Sequence, residues 1–155
     1  MAAGSLAADA ASSVLELSKA AWTLGISLSR LEQDTKVVDT TVRNLVGEVK
    51  SLGNESDLLY AELGRTLAKN ETNLSRGDVD DGIWSCLEAQ VEETNRTMQE
   101  LELFVTRVRG EESRFLGQAQ RQRKLDKSKD QIAHIRARVY RDSNNLRVAR
   151  LLINL

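Results

Sequence analysis

The chain has 155 residues, which is about the length of one domain. It contains no proline and only nine glycines, whereas 41% of its residues are hydrophobic. This composition argues against a loop-rich or sandwich fold and predicts an all-α domain with one core. The formal net charge of -1 excludes both a strongly basic nucleic-acid binder and a disordered acidic tail.

Apolar residues recur at alternating spacings of three and four residues in four segments, which is typical of amphipathic helices. We expect helices over residues 5–32, 35–71, 82–109 and 128–155. The second, third and fourth stripes each include one polar residue, namely Ser56, Thr94 and Asp142. No segment can bury its stripe alone, so the sequence predicts an antiparallel four-helix bundle. A long coiled coil made with other chains is the alternative, and the breaks between segments favour the bundle.

Two polar stretches separate the later helices. Residues 70–82 contain Asn, Ser, Gly and three aspartates, which indicates a loop. Residues 110–127 are also strongly polar, although Phe115, Leu116 and Ala119 allow a short fifth helix there.

The small net charge conceals two charged segments. Residues 78–120 carry four basic and ten acidic side chains, and residues 121–155 carry ten basic and three acidic ones. We expect ion pairs between the third and fourth helices, which would fix how these helices pair. The alternative is a basic patch that binds an anionic membrane surface. Its candidate residues are Arg121, Arg123, Lys124, Lys127 and Lys129. Nucleic acid is disfavoured as a partner, because no aromatic residue interrupts this basic run.

The chain offers little chemistry for catalysis. It has one cysteine, Cys86, and one histidine, His134, and it lacks phosphate-binding and nucleophile-elbow motifs. We therefore predict no catalytic residue, no metal site and no cofactor, and we expect that the protein is not an enzyme. An enzyme that uses Cys86 with His134 is the remote alternative. We expect Cys86 to be a small buried thiol and His134 to be packed or at the surface.

The first helix is the candidate for membrane contact. Its longest uncharged stretch after Lys19 covers only residues 20–29, which is too short to span a bilayer. The N-terminus also lacks a positively charged signal region, so we expect a cytoplasmic protein. Trp84 is predicted to lie in the core, whereas Trp22 suits either the core or a membrane interface.

Several stretches resemble the fungal N-terminal helical domain that precedes STAND-type NTPase receptors and repeat arrays. They are S-L-A-A-D-A-A-S-S-V-L-E-L-S-K-A at residues 5–20, V-V-D-T-T-V-R-N-L-V-G-E-V-K-S-L at 37–52, I-W-S-C-L-E-A at 83–89, M-Q-E-L-E at 98–102, R-Q-R-K-L at 121–125 and S-N-N-L-R-V-A-R-L-L-I-N-L at 143–155. That family is similar to the HeLo and HeLo-like cell-death domains. The resemblance covers nearly the whole chain.

The resemblance implies a bundle of four or five helices whose first helix becomes membrane-active when receptors oligomerise. Carried onto this chain, it makes the first helix the membrane-active element. The candidate residues are Leu6, Val14, Leu17, Trp22, Leu24 and Leu28. It also implies self-association, a helical protein partner or C-terminal receptor module, and recruitment to the plasma membrane. The alternative function is a passive oligomerisation scaffold that recruits a partner helix.

Overall fold

The chain folds into four helices in a computed structural model. The structure describes residues 2–35, 40–72, 81–109, 123 and 127–153, with side chains at 8–31, 40–68, 82–108, 123 and 127–153. The helices are α1 (Ala2–Thr35), α2 (Thr40–Thr72), α3 (Asp81–Arg109) and α4 (Lys129–Ile153). The prediction of an all-α fold with four helices is confirmed, and no strand occurs in the described residues.

The first two helices differ from their predicted bounds. The helix α1 begins at Ala2 because alanine, the best helix former, dominates its first turns. It continues to Thr35 because residues 32–35 contain neither glycine nor proline. Thr35 therefore belongs to α1, whereas we expected it to start α2, which begins at Thr40. The helix α2 ends at Thr72, one residue beyond its predicted end at residue 71. Residues 73–80 and the possible fifth helix at Phe115, Leu116 and Ala119 lie outside the described residues.

The predicted stripes form the core. Every stripe member whose side chain is described is buried, apart from Ala149, which is partly buried. The polar members Ser56, Thr94 and Asp142 are buried as completely as their apolar neighbours. Trp84 is buried as predicted. Residues with no exposed surface from all four helices meet there, among them Val14, Leu17, Leu28, Leu45, Leu52, Leu101 and Val139.

Each helix contacts two others, so the four form a closed ring. The contacts join α1 to α2, α2 to α4, α4 to α3 and α3 back to α1. In the described part of the chain, α1 and α4 therefore lie diagonally across the bundle, as do α2 and α3.

The contacts also show the direction of each neighbour. Between α1 and α2, Ser18 meets Asp57 whereas Gly25 faces Lys50, so these helices run in opposite directions. The same holds for α3 and α4, where Gln90 meets Asn145 and Glu100 meets Arg138.

The other two neighbouring pairs run in the same direction. On α2, Glu48 shares a groove with Arg136 of α4, and Glu55 seven residues later binds Arg147. Along α1 and α3, Ala10 shares a groove with Val91, and Leu24 shares another with Met98. The bundle thus consists of an α1–α2 pair and an α3–α4 pair laid side by side.

Candidate functional site

The candidate membrane-active residues of α1 face the interior of the bundle. Val14, Leu17, Leu24 and Leu28 are buried on one face of the helix, where they contribute to the core. Trp22 lies beside this face with 37% of its surface exposed. The side chain of Leu6 is outside the described residues. The structure therefore places Val14, Leu17, Leu24 and Leu28 together on the docked face of α1, where they contact protein.

A tryptophan, a glycine and an aspartate join α1 to α2. The Trp22 indole lies directly on Gly53, because a Cβ atom added there would be 2.9 Å from Cε2 of the indole. The indole Nε1 donates a hydrogen bond to Oδ2 of Asp57 at 3.0 Å. The hydroxyl of Ser18 donates to Oδ1 of the same carboxylate. The Asp57 carboxylate thus accepts hydrogen bonds from two residues of α1 that lie one turn apart.

The close contact of α1 with α2 contrasts with its contact with α3. A Cβ atom at Gly25 would lie 3.4 Å from Cγ of Lys50, so the α1 and α2 backbones approach closely at this glycine as well. On the other side, two open grooves of about 320 and 400 Å³ separate parts of α1 and α3. The α1 helix is therefore held more tightly by α2 than by α3.

Acidic and basic side chains pair between α3 and α4, as the charges of the two segments predicted. Glu93 lies 3.7 Å from Arg138 and 3.6 Å from Arg141, measured from Oε1 to the Nη2 atoms. Arg138 also pairs with Glu100. These groups are partly exposed, so each pair contributes only about 0.2–1 kcal/mol. Their main effect is to set the register of α3 on α4.

A buried carboxylate joins α2 to α4. Oε1 of Glu55 accepts a hydrogen bond from Nε of Arg147 at 3.0 Å, and Oε2 accepts one from Nε of Arg150 at 3.3 Å. Sequence reasoning missed this site, because Glu55 lies one position before the stripe residue Ser56. The sequence feature that could have indicated a buried acidic partner is the pair Arg147 and Arg150, which lie three residues apart on one face of α4.

A second buried carboxylate stands between α3 and α4. Asp142 accepts a hydrogen bond from the Thr97 hydroxyl at 2.7 Å and another from the Gln90 amide at 3.4 Å. The side-chain oxygen Oε1 of Gln90 accepts a hydrogen bond from the side-chain amide of Asn145 at 3.1 Å. These partners satisfy both carboxylate oxygens of Asp142 inside the bundle.

The predicted basic patch is described only in part. Arg123, Lys127 and Lys129 are exposed, and Arg121 and Lys124 lie outside the described residues. Lys129 is the first residue of α4, and Lys127 stands two residues before it.

The thiol and the imidazole do not form a site together. Cys86 is exposed, so the prediction of a buried thiol is wrong. It lies on the flank of α3 that faces α4, where an open groove of about 370 Å³ also contains Ala149. His134 is exposed as well, fifteen residues before Ala149 on α4. At ~1.5 Å per residue, about 20 Å separate the two groups along the bundle.

The described residues contain no group of three His, Cys, Asp or Glu side chains that could hold a metal ion. Within the same ranges, no helix has a stretch that is both long and apolar enough to cross a bilayer. Comparisons with protein families, with characterised proteins and with solved structures found no match to this chain. The likeness to the fungal N-terminal helical domain therefore depends on the sequence stretches quoted above.

Proposed function

We propose that this chain is a non-enzymatic signalling and effector domain with a HeLo-like bundle, in which only the consecutive helices α1–α2 and α3–α4 are antiparallel neighbours. In this proposal it belongs to a fungal immune or incompatibility protein, works in the cytoplasm and is recruited to the plasma membrane. Oligomerisation frees α1, which then inserts its apolar face into the membrane interface and induces cell death. The proposal uses no cofactor, metal or catalytic residue.

The observation that carries the proposal is the continuous apolar face of α1. Eight residues on this face are buried against the other helices: Ala10, Ala11, Val14, Leu17, Ala21, Leu24, Leu28 and Leu31. When α1 leaves the bundle, the same residues form one apolar stripe on a helix whose other positions are mostly polar, apart from the exposed Trp22 and Ile26. Such a helix lies in the plane of a membrane interface and does not span the bilayer.

The energy of this face explains why a trigger is needed. Five of its members are Val or Leu, and burying each such side chain contributes about 1.5–3 kcal/mol. Release of α1 into water therefore costs on the order of 10 kcal/mol, so a single copy in solution stays closed. Burial of the same residues in a membrane interface offsets much of this cost, and neighbouring copies increase the local concentration of helices at the membrane.

We expect the purified chain, fused to an inducible dimeriser, to release dye from anionic vesicles after the inducer is added. Without inducer, leakage should be at least about tenfold slower, because α1 remains docked. The Leu17→Glu variant should abolish leakage, since its charge falls on the apolar face. The Leu103→Glu variant is the matched control, because Leu103 is exposed on α3.

Circular dichroism first establishes that each variant is folded. Anionic vesicles that stay intact after dimerisation would sink the proposal. Equal leakage from the two glutamate variants would do the same. Leakage of anionic but not neutral vesicles is expected if the exposed groups Arg123 and Lys127 attract lipid headgroups.

A second candidate function is a passive oligomerisation scaffold that recruits a partner helix. The observation that favours it is the groove between α3 and α4, whose apolar residues are open to solvent. This function predicts a stable assembly whose size is unchanged by vesicles. Light scattering with and without anionic vesicles therefore separates the two candidates.

A further inference from the structure

Exposed apolar side chains collect where the beginning of α3 lies beside the end of α4. Val148, Leu151 and Leu152 of α4 are each about half exposed, with fractions of 54%, 53% and 46%. Ile83 and the exposed Cys86 of α3 border the same groove as Val148 and Leu152. We call these five residues the α3–α4 patch. None of the residues described as lining this groove is charged.

An apolar patch of this kind marks a contact site, because single exposed apolar residues are normal on a surface but clusters are uncommon. Leu103 illustrates the difference. It is 69% exposed, more than Val148, Leu151 or Leu152, yet it lies on α3 between about five and six turns beyond Ile83. The patch therefore differs from the rest of the described surface by the clustering of its apolar side chains and not by their exposure.

The charges on the two sides of the patch indicate what covers it. Beyond α3, on the flank that faces α1, lie Glu88 and Glu92. Beyond α4, on the flank that faces α2, lie Arg147 and Arg150, which share the single carboxylate of Glu55. Glu92 pairs with Arg96 of the same helix at 3.1 Å, so one flank of the patch is acidic through Glu88. The other flank retains excess positive charge.

The two flanks lie at the same height along the bundle. The hydrogen bond between Gln90 and Asn145 fixes the register of α3 on α4. Glu88 stands two residues before Gln90, and Arg147 stands two residues after Asn145. Because α3 and α4 run in opposite directions, both steps lead toward the same end of the molecule.

We infer that the α3–α4 patch is the surface through which two copies of this chain associate, about a two-fold axis parallel to the helices. Such an axis places the acidic flank of each copy against the basic flank of the other, at matching height. A two-fold axis that lies in the plane of the patch but runs perpendicular to the helices would instead place flanks of like charge against each other. A surface that complements itself in this way satisfies the requirement of a two-fold interface. The inference deepens the proposed self-association by giving its surface, and its test uses no membrane.

Sedimentation velocity over a range of concentrations tests the inference on the whole chain. We expect the wild-type mass to rise from monomer toward dimer. The Val148→Glu/Leu152→Glu double variant should remain a monomer at concentrations where Leu103→Glu dimerises like the wild type. All three positions are exposed, so the variants should keep the fold, and circular dichroism checks this. Glu88→Lys should weaken the dimer by about fivefold, because it removes two symmetric charge contacts.

The rate at which Cys86 is alkylated measures directly whether the α3–α4 patch is covered. Alkylation of Cys86 by iodoacetamide should slow as the wild type dimerises, and it should stay fast in the double variant at every concentration. A wild type that remains monomeric, or that binds an added amphipathic peptide only as a monomer, would overturn the inference. So would a double variant that dimerises normally. The vesicle experiment stays independent when it is run below the concentration at which the wild type dimerises, because only the external dimeriser then brings the copies together.

Discussion

The absence of a side chain at Gly53 decides how closely α1 can approach α2. The Trp22 indole occupies the space that a Cβ atom would take, and this position brings its Nε1 within hydrogen-bond distance of Asp57. Glycine in the middle of a helix is unfavourable by itself. At this position the loss of helix propensity is offset by the packing of an aromatic ring.

We therefore predict that Gly53→Ala destabilises the protein by about 1–2 kcal/mol, although alanine favours the helix. The added methyl group must displace the indole and break its hydrogen bond. Gly64→Ala is the matched control on the same helix, because nothing lies within 4 Å of the added Cβ. It should stabilise the protein by up to about 1 kcal/mol. Urea unfolding followed by circular dichroism measures both, and a stabilising Gly53→Ala would refute this account of the contact.

For individual residues, the heptad pattern predicts which side chains are buried better than it predicts which side chains they contact. It placed Ser56, Thr94 and Asp142 inside the bundle, because spacing alone determines which face of a helix turns inward. It did not predict that Glu55 is buried, because that burial depends on two arginines from another helix. It was wrong for Cys86, because the flank beside the stripe faces an open groove at that height. The contacts of Trp22 could not be predicted, since they depend on Gly53 across the helix interface.

The helices α2 and α4 are linked by the shared carboxylate of Glu55. We predict that Glu55→Gln destabilises the protein by about 1–2 kcal/mol, because two charge-assisted hydrogen bonds between helices lose their acceptor charge. The loss is modest because Arg147 is half-exposed and can be solvated. The change in the free energy of unfolding in urea is the measurement.

Glu62→Gln supplies the comparison. Glu62 is also buried on α2, but it pairs with Arg65 of the same helix. A pair within one helix contributes about 0.2–0.5 kcal/mol, so this variant should change stability by less than about 0.5 kcal/mol. If both variants cost the same, Glu55 does not act as a link between helices.

At the level of elements, the sequence predicted four helices but indicated only one of the pairs that are neighbours. Amphipathic stripes show that each helix needs partners, and every ring order satisfies that need equally. The charges of residues 78–155 did indicate that α3 lies beside α4, and Glu93 and Glu100 make the expected pairs. Nothing comparable in the sequence placed α2 beside α4, since Glu55 is a single acidic residue in a mixed segment.

Considered as a whole, the molecule is two helix pairs laid side by side with α1 at one corner. The proposed function requires α1 to separate from α2, which holds it through Gly25, Gly53 and Asp57. This requirement is the central claim, and it differs from a movement in which α1 and α2 leave the bundle together. A covalent link between the two helices distinguishes these movements.

The decisive measurement is vesicle leakage by a Gly25→Cys/Lys50→Cys variant in a Cys86→Ser background. A Cβ at Gly25 would lie 3.4 Å from Cγ of Lys50, so the two positions are close enough to test for a disulfide. Free-thiol titration confirms that the link has formed, and the oxidised single variants serve as controls. With the dimeriser engaged, we predict no leakage while the link is oxidised and full leakage after reduction. Equal leakage in both states would contradict the release of α1 from α2.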